Sequence, residues 1–185
     1  MSNYFYTREI QISRTFSDSN FNQFKLNNLE KLKIIDFCKE LDGIKYSKGG
    51  SDLSGLDCSG LIIYIYKKLN CDWFTDGDIT YFDVSADILF KYNTIHFFDP
   101  RMLETGDFIF FDADSNSIIE HVSIFNNLDD EKNVWVWDAS NYPDGEIINK
   151  VSYRKINNFW AKNPKFGKPL KTIEVGNYWD FLILP

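Results

Sequence analysis

Histidine, cysteine and long apolar runs are scarce in this chain of 185 residues, which has 2 His and 3 Cys. The longest uninterrupted apolar run, Leu61 to Tyr66, is far shorter than the ~20 residues that span a bilayer, so we expect no membrane insertion. Asp and Glu outnumber Lys and Arg by 27 to 20, which gives a formal charge of −7. Because phosphate binding needs clustered basic residues and no such run occurs, we expect no nucleic acid partner.

The sequence also lacks the patterns of a secreted disulfide protein and of a metal protein. The N-terminus, MSNYFYTREIQISR, has no apolar segment of the kind found in a signal peptide, which predicts synthesis in the cytoplasm. The cysteine count is odd and no CxxC pair occurs, so we expect free thiols. The cysteines and histidines lack the paired spacing of a zinc site, and Asp112–Asn116 is followed by Ser117 where a calcium loop needs Gly. We therefore expect no metal and no cofactor.

What is present indicates one folded domain. Apolar residues make up 44% of the chain and aromatic residues 17%, which is enough to form a buried core. The first 27 residues contain at most one short strand, around Glu9–Ile12, and the pattern becomes helical from Asn28. We therefore divide the chain into an N-terminal extension, residues 1–27, and a single domain, residues 28–185.

Helices are predicted in the first half of this domain. The first helix is expected from Asn28 to Leu41, because apolar residues recur at helical spacing and Asn27 with Glu30 can form a capping box. The run LIIYIYKKLN, which follows the motif DCSG, is apolar nearly all round and is typical of a short buried helix, with a strand as the alternative. A third, weaker helix is predicted from Val84 to Tyr92.

Strands are predicted in the second half, where the apolar residues alternate with a period of two. They are Phe108–Phe111, His121–Phe125, Val134–Asp138 and Ile147–Tyr153, and turn residues at Asn141–Gly145 separate the last two. The segment from Asn158 onward is expected to complete the sheet or to pack on it. Helices followed by antiparallel strands predict an α+β fold with the helices packed on one face of a sheet meander.

Cys58 is the cysteine best suited to chemistry. A thiolate is favoured at a helix N-terminus and beside a histidine, and Asp57 before Cys58 with Ser59–Gly60 after it predict a loop-to-helix junction at this position. Cys38 lies on the apolar face of the first predicted helix, and Cys71 follows a helix end. Both are interpreted as structural thiols, which leaves Cys58 as the candidate nucleophile.

The residues alone leave more than one role open for the candidate base and its orienting group. His96 lies in an aromatic stretch and is interpreted as a packed or surface histidine. His121 begins a strand after a polar loop, where its ring can stand at the edge of the sheet, and a structural role is the alternative. Asp138 ends the next strand, so it lies near His121 and can orient the imidazole if the two strands pair. A solvated strand-end aspartate is the alternative for Asp138.

Four motifs occur in a fixed order along the chain. They are Tyr46-x-x-Gly49-Gly50, Asp57-Cys58-Ser59-Gly60-Leu61, Leu103-Glu104-Thr105-Gly106-Asp107-Phe108-Ile109-Phe110-Phe111 and His121-Val122-Ser123-Ile124-Phe125. Together they resemble the NlpC-type family of bacterial cell-wall cysteine peptidases.

The resemblance implies a papain-like catalytic domain in residues 28–185. It implies Cys58 as the nucleophile and His121 as the base. It also puts Asp138 in the position of the third, orienting residue, where the family more often has histidine, although aspartate can do the same work.

The resemblance also implies a substrate subsite. In the family a tyrosine and the residues that flank the cysteine shape it, which corresponds here to Tyr46, Asp57 and Ser59. The sequence departs from the family pattern at Lys48, where an aromatic residue is usual, and at Ser123, where glycine is usual.

The implied substrate is the stem peptide of peptidoglycan, most often at the bond between D-glutamate and a diamino acid. The alternatives are cleavage between sugar and stem peptide by an N-acetylmuramoyl-L-alanine amidase, acyl transfer through the same thioester, a phage-type lysin, and a non-catalytic peptidoglycan-binding module. Product analysis separates the endopeptidase from the amidase. An endopeptidase frees the amine of the diamino acid, and an amidase frees the amine of L-alanine.

The route to the wall is a separate question. The sequence shows no signal peptide and no wall-binding repeat, which favours a toxin that a specialised secretion machine delivers to the periplasm or cell wall. An immunity protein that blocks the cleft would then be a partner. A cytoplasmic enzyme that acts on recycled muropeptides is the alternative.

Overall fold

The computed structural model describes residues 21–112, 114–141 and 148–174, and these contain three α-helices. They are α1 (Asn28–Glu40), α2 (Cys58–Lys68) and α3 (Ala86–Tyr92). The predicted helix from Asn28 is confirmed, and it ends one residue early because Leu41 serves as its C-cap. The apolar run after DCSG is helical, so the strand alternative was wrong. The third helix begins two residues later than predicted, because the Ser85 hydroxyl caps it.

The strands of the described residues form one large sheet and two small hairpins. The strands are β1 (Phe21–Lys25), β2 (Ser51–Asp52), β3 (Gly55–Leu56), β4 (Phe74–Thr75), β5 (Thr80–Tyr81), β6 (Thr94–Phe97), β7 (Phe108–Phe111), β8 (His121–Leu128), β9 (Val134–Ser140), β10 (Lys150–Lys155) and β11 (Pro164–Glu174). Short 3-10 helices occupy Pro100–Met102 and Phe159–Lys162.

The large sheet is antiparallel and has seven strands in the order β1-β11-β7-β8-β9-β10, with β6 also paired to β11. Its meander, β7 to β10, contains the four predicted strands, and β8 and β9 run further than expected. Strand β11, the last in the described part of the chain, completes the sheet, as the sequence predicted for the segment after Asn158. The fold is therefore α+β with a large antiparallel sheet, as predicted.

Some predicted features lie outside the described residues or on their border. The strand around Glu9–Ile12 and the apolar residues after Glu174 lie outside them, as does most of the Asn141–Gly145 turn. The predicted strand from Ile147 begins in the structure at Lys150. Within the segment that was assigned to the N-terminal extension, Phe21–Lys25 pairs with β11, so these residues are part of the sheet.

Both faces of the central strands are buried, and this explains the fully apolar sequence of β7. Phe108 and Phe110 point into the larger apolar cluster, to which α1, α2 and α3 contribute. Ile109 and Phe111 point into a second cluster on the opposite face, which the 3-10 helix at Phe159 covers. Helix α2 is the centre of the larger cluster and contributes a run of buried side chains: Leu61, Ile62, Ile63, Ile65 and Tyr66. No helix among the described residues is long and apolar enough to cross a membrane.

A buried ionic cluster ties α1 to the sheet next to β7. Asp107 is fully buried, and its carboxylate accepts hydrogen bonds from Lys31 Nζ at 2.6 Å and from Lys168 Nζ at 2.7 Å. The same carboxylate accepts the backbone N–H of Glu104 at 2.9 Å. Asp107 of the third motif therefore has a structural role that joins α1, β7 and β11.

Replacement of Asp107 by Ala should destabilise the fold strongly, because it leaves the buried ammonium group of Lys31 without its nearest counterion. We expect the free energy of unfolding, measured by urea denaturation, to fall by about 3 to 5 kcal/mol. Asp36→Ala is the matched control, since it removes an exposed ion pair with Lys39 and should change stability little. Equal effects of the two substitutions would contradict a structural role for the buried cluster.

Candidate active site

Cys58 is the first residue of α2, as the sequence predicted. Asp57 caps this helix, because its Oδ1 accepts the backbone N–H of Gly60 at 2.7 Å. The Cys58 thiol is free and partly exposed, whereas Cys38 and Cys71 are buried. Burial raises the pKa of the Cys38 thiol above its ordinary range, and burial likewise raises the pKa of the Cys71 thiol. The helix N-terminus presents unpaired N–H groups to the sulfur of Cys58 and favours negative charge there.

The loop before α2 packs tightly against the start of the helix. The second oxygen of the Asp57 carboxylate accepts the backbone N–H of Gly49 at 2.7 Å, and the Asp57 backbone N–H donates to the Gly50 carbonyl at 2.9 Å. A Cβ atom added to Gly60 would lie only 1.8 Å from that same Gly50 carbonyl oxygen. The glycines of the first two motifs are thus required by the close contact of two backbones, which holds Cys58 in place.

His121 and Asp138 are joined by a short hydrogen bond. His121 is the first residue of β8, and Asp138 lies in the neighbouring strand β9, so the predicted strand pairing is confirmed. The imidazole Nε2 lies 2.7 Å from Asp138 Oδ1, and the Asp138 side chain is 0% exposed against 26% for His121. Because Nε2 is hydrogen-bonded to Asp138, the Nδ1 edge of the ring is the one that is left to interact with the Cys58 thiol. A solvated strand-end aspartate, the alternative for Asp138, was therefore wrong.

The electrostatics of the pair favour its charged form. Burial lowers the pKa of His121, but the charge and hydrogen bond of Asp138, with the nearby Cys58 thiol, outweigh burial and raise that pKa to about 10. Burial raises the pKa of Asp138, but the imidazole of His121 and the guanidinium of Arg154 outweigh it and lower that pKa to about 2. An imidazolium beside a carboxylate is therefore the favoured state at neutral pH.

Arg154 is the one member of this cluster that the sequence analysis missed. It lies in β10, next to β9, and its Nε donates to Asp138 Oδ2 at 2.7 Å, while its Nη2 contacts the same oxygen. The predicted strand ended at Tyr153, two residues before the observed end at Lys155. Because Ser152 pairs with Asp138 across the two strands, a longer strand would have placed Arg154 on the same face as the carboxylate.

The three residues expected to shape a substrate subsite surround Cys58. The pKa of the Tyr46 phenol is raised by burial and by the nearby Cys58, Asp57 and Asp138, which indicates that the ring lies beside the cluster. The Ser59 hydroxyl donates to Asp57 Oδ1 at 3.1 Å. Asp57 has both carboxylate oxygens engaged within the protein, so its observed contribution is to hold the helix start. Substrate binding by these residues stays a prediction.

The other residues singled out in the sequence lie apart from this cluster. His96 stacks on the Phe90 ring with a centroid distance of 3.9 Å, and its Nε2 lies 2.6 Å from the Phe90 carbonyl oxygen, which fits its interpretation as a packed or surface histidine. Asp112 caps a turn by accepting the backbone N–H groups of Asn116 and Ser117. Over residues 21–112, 114–141 and 148–174, no group of three or more His, Cys, Asp or Glu side chains is arranged to hold a metal ion.

A thiol at a helix start, beside a His–Asp pair on an antiparallel sheet, defines a papain-like α+β protein. The sequence model of the NlpC/P60 family matches residues 43–166. This span contains all four motifs and ends in the first residues of β11. The chain belongs to the NlpC/P60 family. A comparison with curated protein sequences finds no match.

Solved structures of this family share the fold. A Staphylococcus aureus protein described as similar to a lipoprotein of the NLP/P60 family is 17% identical, with a TM-score of 0.53 over 83% of this chain and 44% of its own. The NlpC/p60 domain of the peptidoglycan hydrolase SagA is 21% identical, with a TM-score of 0.52 over 77% of this chain and 98% of its own. NlpC1 from Trichomonas vaginalis is 23% identical, with a TM-score of 0.51 over 81% of this chain and 45% of its own. The chain thus spans less than half the length of the first and third relatives.

The His121–Asp138 pair predicts how the stability of the fold depends on pH. Because the pKa of Asp138 is about 2 in the folded protein against an ordinary 3.8, its contribution is present above about pH 4 and is lost as the pH falls toward 2. Because the pKa of His121 is about 10 against an ordinary 6.5, its contribution is fully present below pH 6.5 and is lost as the pH rises toward 10. We expect the free energy of unfolding, measured in urea, to fall on both sides of this window.

Two substitutions test the alkaline side of this stability profile. His121→Gln should remove the part of the fall above pH 6.5 that the imidazole causes, and His96→Gln, which changes the other histidine, should retain it. A difference between wild type and His121→Gln that stays constant from neutral to alkaline pH would contradict the raised pKa.

Proposed function

We propose that this protein is a cysteine hydrolase that cleaves peptide or amide bonds in peptidoglycan stem peptides. The observation that carries the proposal is the array of Cys58, His121 and Asp138, which joins a helix N-terminus to two adjacent strands in an NlpC/P60 chain. A related domain belongs to a peptidoglycan hydrolase, which supports the class of substrate.

The first half of the proposed reaction forms a thioester. In the resting site the proton of the Cys58 thiol lies on His121 as the imidazolium, and the Cys58 thiolate attacks the carbonyl carbon of the scissile bond. The oxyanion that forms is stabilised by the backbone N–H of Cys58, which has no acceptor within the helix because it lies in the first turn of α2. The His121 imidazolium then donates its proton to the leaving amine, the C–N bond breaks, and the acyl group stays on the sulfur.

The second half releases the acyl group. His121, now neutral, accepts a proton from water, and the hydroxide attacks the thioester carbonyl. The thiolate leaves and recovers the resting pair with the imidazolium. Asp138 keeps the ring in one orientation through Nε2 and stabilises the imidazolium each time that it forms, which agrees with the raised pKa of His121.

The proposed substrate carries a peptide bond between D-glutamate and a diamino acid, and Tyr46, Asp57 and Ser59 would line the subsite on the acyl side of that bond. These residues lie around the thiol, with the Tyr46 ring beside Cys58 and Ser59 next to it in the chain. Asp57 would act mainly through the position it gives to Cys58, because its two oxygens already accept backbone N–H groups.

The central test of this proposal uses defined muropeptides and mass spectrometry of the products. Cys58→Ala should lower kcat/KM by at least about 1000-fold, because the nucleophile is removed from a unit whose members act together. Cys71→Ala is the matched control and should keep activity, since that thiol is buried and lies at the opposite end of α2.

The products decide between the proposed activities. A new amine on the diamino acid supports an endopeptidase, and a free L-alanine amine supports an amidase. Equal cleavage by Cys58→Ala and wild type would contradict the nucleophile, and binding without cleavage across several stem peptides would make the protein a binding module.

Delivery as an antibacterial toxin, with an immunity protein that blocks the cleft, is a further part of the proposal. The wild-type chain directed to the periplasm of a susceptible bacterium should lyse the cells, and the Cys58→Ala chain should not. Lysis by both chains would contradict toxicity through wall cleavage.

A further inference from the structure

Asp138 divides its two carboxylate oxygens between two partners. Oδ1 lies 2.7 Å from His121 Nε2, and Oδ2 accepts the Nε–H of Arg154 at 2.7 Å together with a contact from Nη2. The guanidinium is itself mostly buried, with 12% of the Arg154 side chain exposed. The carboxylate is thus held from opposite sides by strands β8 and β10.

The neighbouring hydroxyl groups do not replace Arg154 in this contact. Ser152 pairs with Asp138 across β9 and β10, and Ser123 lies in β8 two residues after His121. Both serines are buried, and within the described part of the chain neither side-chain oxygen has a hydrogen-bond partner. The second oxygen of the carboxylate therefore depends on the guanidinium.

A fork of two N–H groups on one oxygen restricts the rotation of a carboxylate more than a single contact does. Rotation of the Asp138 carboxylate would move Oδ1 away from Nε2 and release the imidazole that faces Cys58. A buried carboxylate also needs compensating positive charge, and here it comes from a permanent cation as well as from the titratable ring. Arg154 supplies this charge in every protonation state of His121.

We propose that Arg154 is a positioning residue of the active site, which holds the Asp138 carboxylate in the orientation that aligns His121 with the Cys58 thiol. This inference rests on the proposed function, in which Cys58 is the nucleophile and His121 is the base. In this proposal Arg154 acts on catalysis through its contact with Asp138.

The array has a defined set of charged and titratable groups around the carboxylate. His121 faces it from β8 and Arg154 from β10, while Tyr46 and Cys58 lie within electrostatic range on the side of α2. Loss of the guanidinium removes a cause that lowers the pKa of Asp138. The carboxyl would then accept a proton at a higher pH, and reactivity that depends on the charged His–Asp pair would be lost earlier on acidification.

The test measures the rate at which iodoacetamide alkylates Cys58 as a function of pH, with the modified peptide identified by mass spectrometry. Arg154→Gln should slow alkylation at neutral pH by roughly 10-fold or more, the size of effect that loss of a hydrogen-bond partner behind a metal-bound side chain has in metal sites. Its acid limb should move to higher pH. Arg154→Lys keeps the charge but loses the fork, so its rate should lie between those of Arg154→Gln and wild type.

Two further comparisons separate positioning from a purely structural role. In the Asp138→Asn background, Arg154→Gln should cause no further loss, because the carboxylate through which the guanidinium acts is gone. Arg101→Gln is the matched control: it breaks an exposed Arg–Asp pair with Asp99 and should leave the alkylation profile unchanged.

Two results would overturn the proposal. One is an Arg154→Gln profile within twofold of wild type at every pH. The other is an equal loss from Arg154→Gln in the wild-type and Asp138→Asn backgrounds. If Arg154→Gln alone fails to fold, the Arg154→Lys variant and the double variant, which leaves no buried carboxylate unpaired, still decide the question. Because alkylation needs no cell-wall substrate, a failure of muropeptide cleavage alone would count against the proposed function and not against the role of Arg154.

Discussion

A carboxylate with no contact to solvent is the constraint around which the site is organised. Asp138 is fully buried in a central strand, and burial of an unpaired charge is too costly for a fold to tolerate. The imidazole of His121 on one side and the guanidinium of Arg154 on the other pair with the charge of the Asp138 carboxylate. Strands β8, β9 and β10 must therefore keep the register that brings His121 and Arg154 to the same carboxylate.

A second constraint fixes the position of the thiol relative to this sheet. Helix α2 is buried along most of its length, so it cannot shift without disturbing the larger apolar cluster. Its first turn is held from outside by Asp57, which caps the helix and binds the Gly49 N–H with its other oxygen. The candidate nucleophile Cys58 thus lies on one rigid element and the candidate base His121 on another, an arrangement that keeps functional groups at a constant separation.

The buried carboxylates of Asp107 and Asp138 are paired in a similar way but have different roles. Asp107 and Asp138 are both fully buried and both have two cationic partners. The partners of Asp107 are Lys31 and Lys168, and these contacts tie α1 to the sheet. One partner of Asp138 is His121, whose imidazole also interacts with the partly exposed Cys58 thiol, so under the proposed function this pairing serves proton transfer.

Much of the fold was predictable because its patterns are local. The capping box at Asn27 and Glu30 marked the start of α1, and period-two alternation marked β7 to β10. Strand β6 was missed because Thr94–Phe97 is short and its pairing with β11 joins residues distant in the chain. The end of β10 was predicted two residues early, so Arg154 was left out, because the charged pair Arg154–Lys155 after Tyr153 resembles the end of a strand.

The sequence by itself determined the helices, the meander, the cysteine that starts α2 and the histidine that starts β8, because each depends on neighbours within a few residues. Only the tertiary structure decided that Asp138 is buried and not solvated, that Arg154 binds its second oxygen, and that Asp57 directs both oxygens to backbone N–H groups. These outcomes depend on strand register and on the close approach of Gly50 to Gly60, where contacts join residues that local patterns cannot relate. The residue types of the candidate site could thus be predicted from the sequence. The pairing of Asp138 with His121 and Arg154 depends on the packing of three strands.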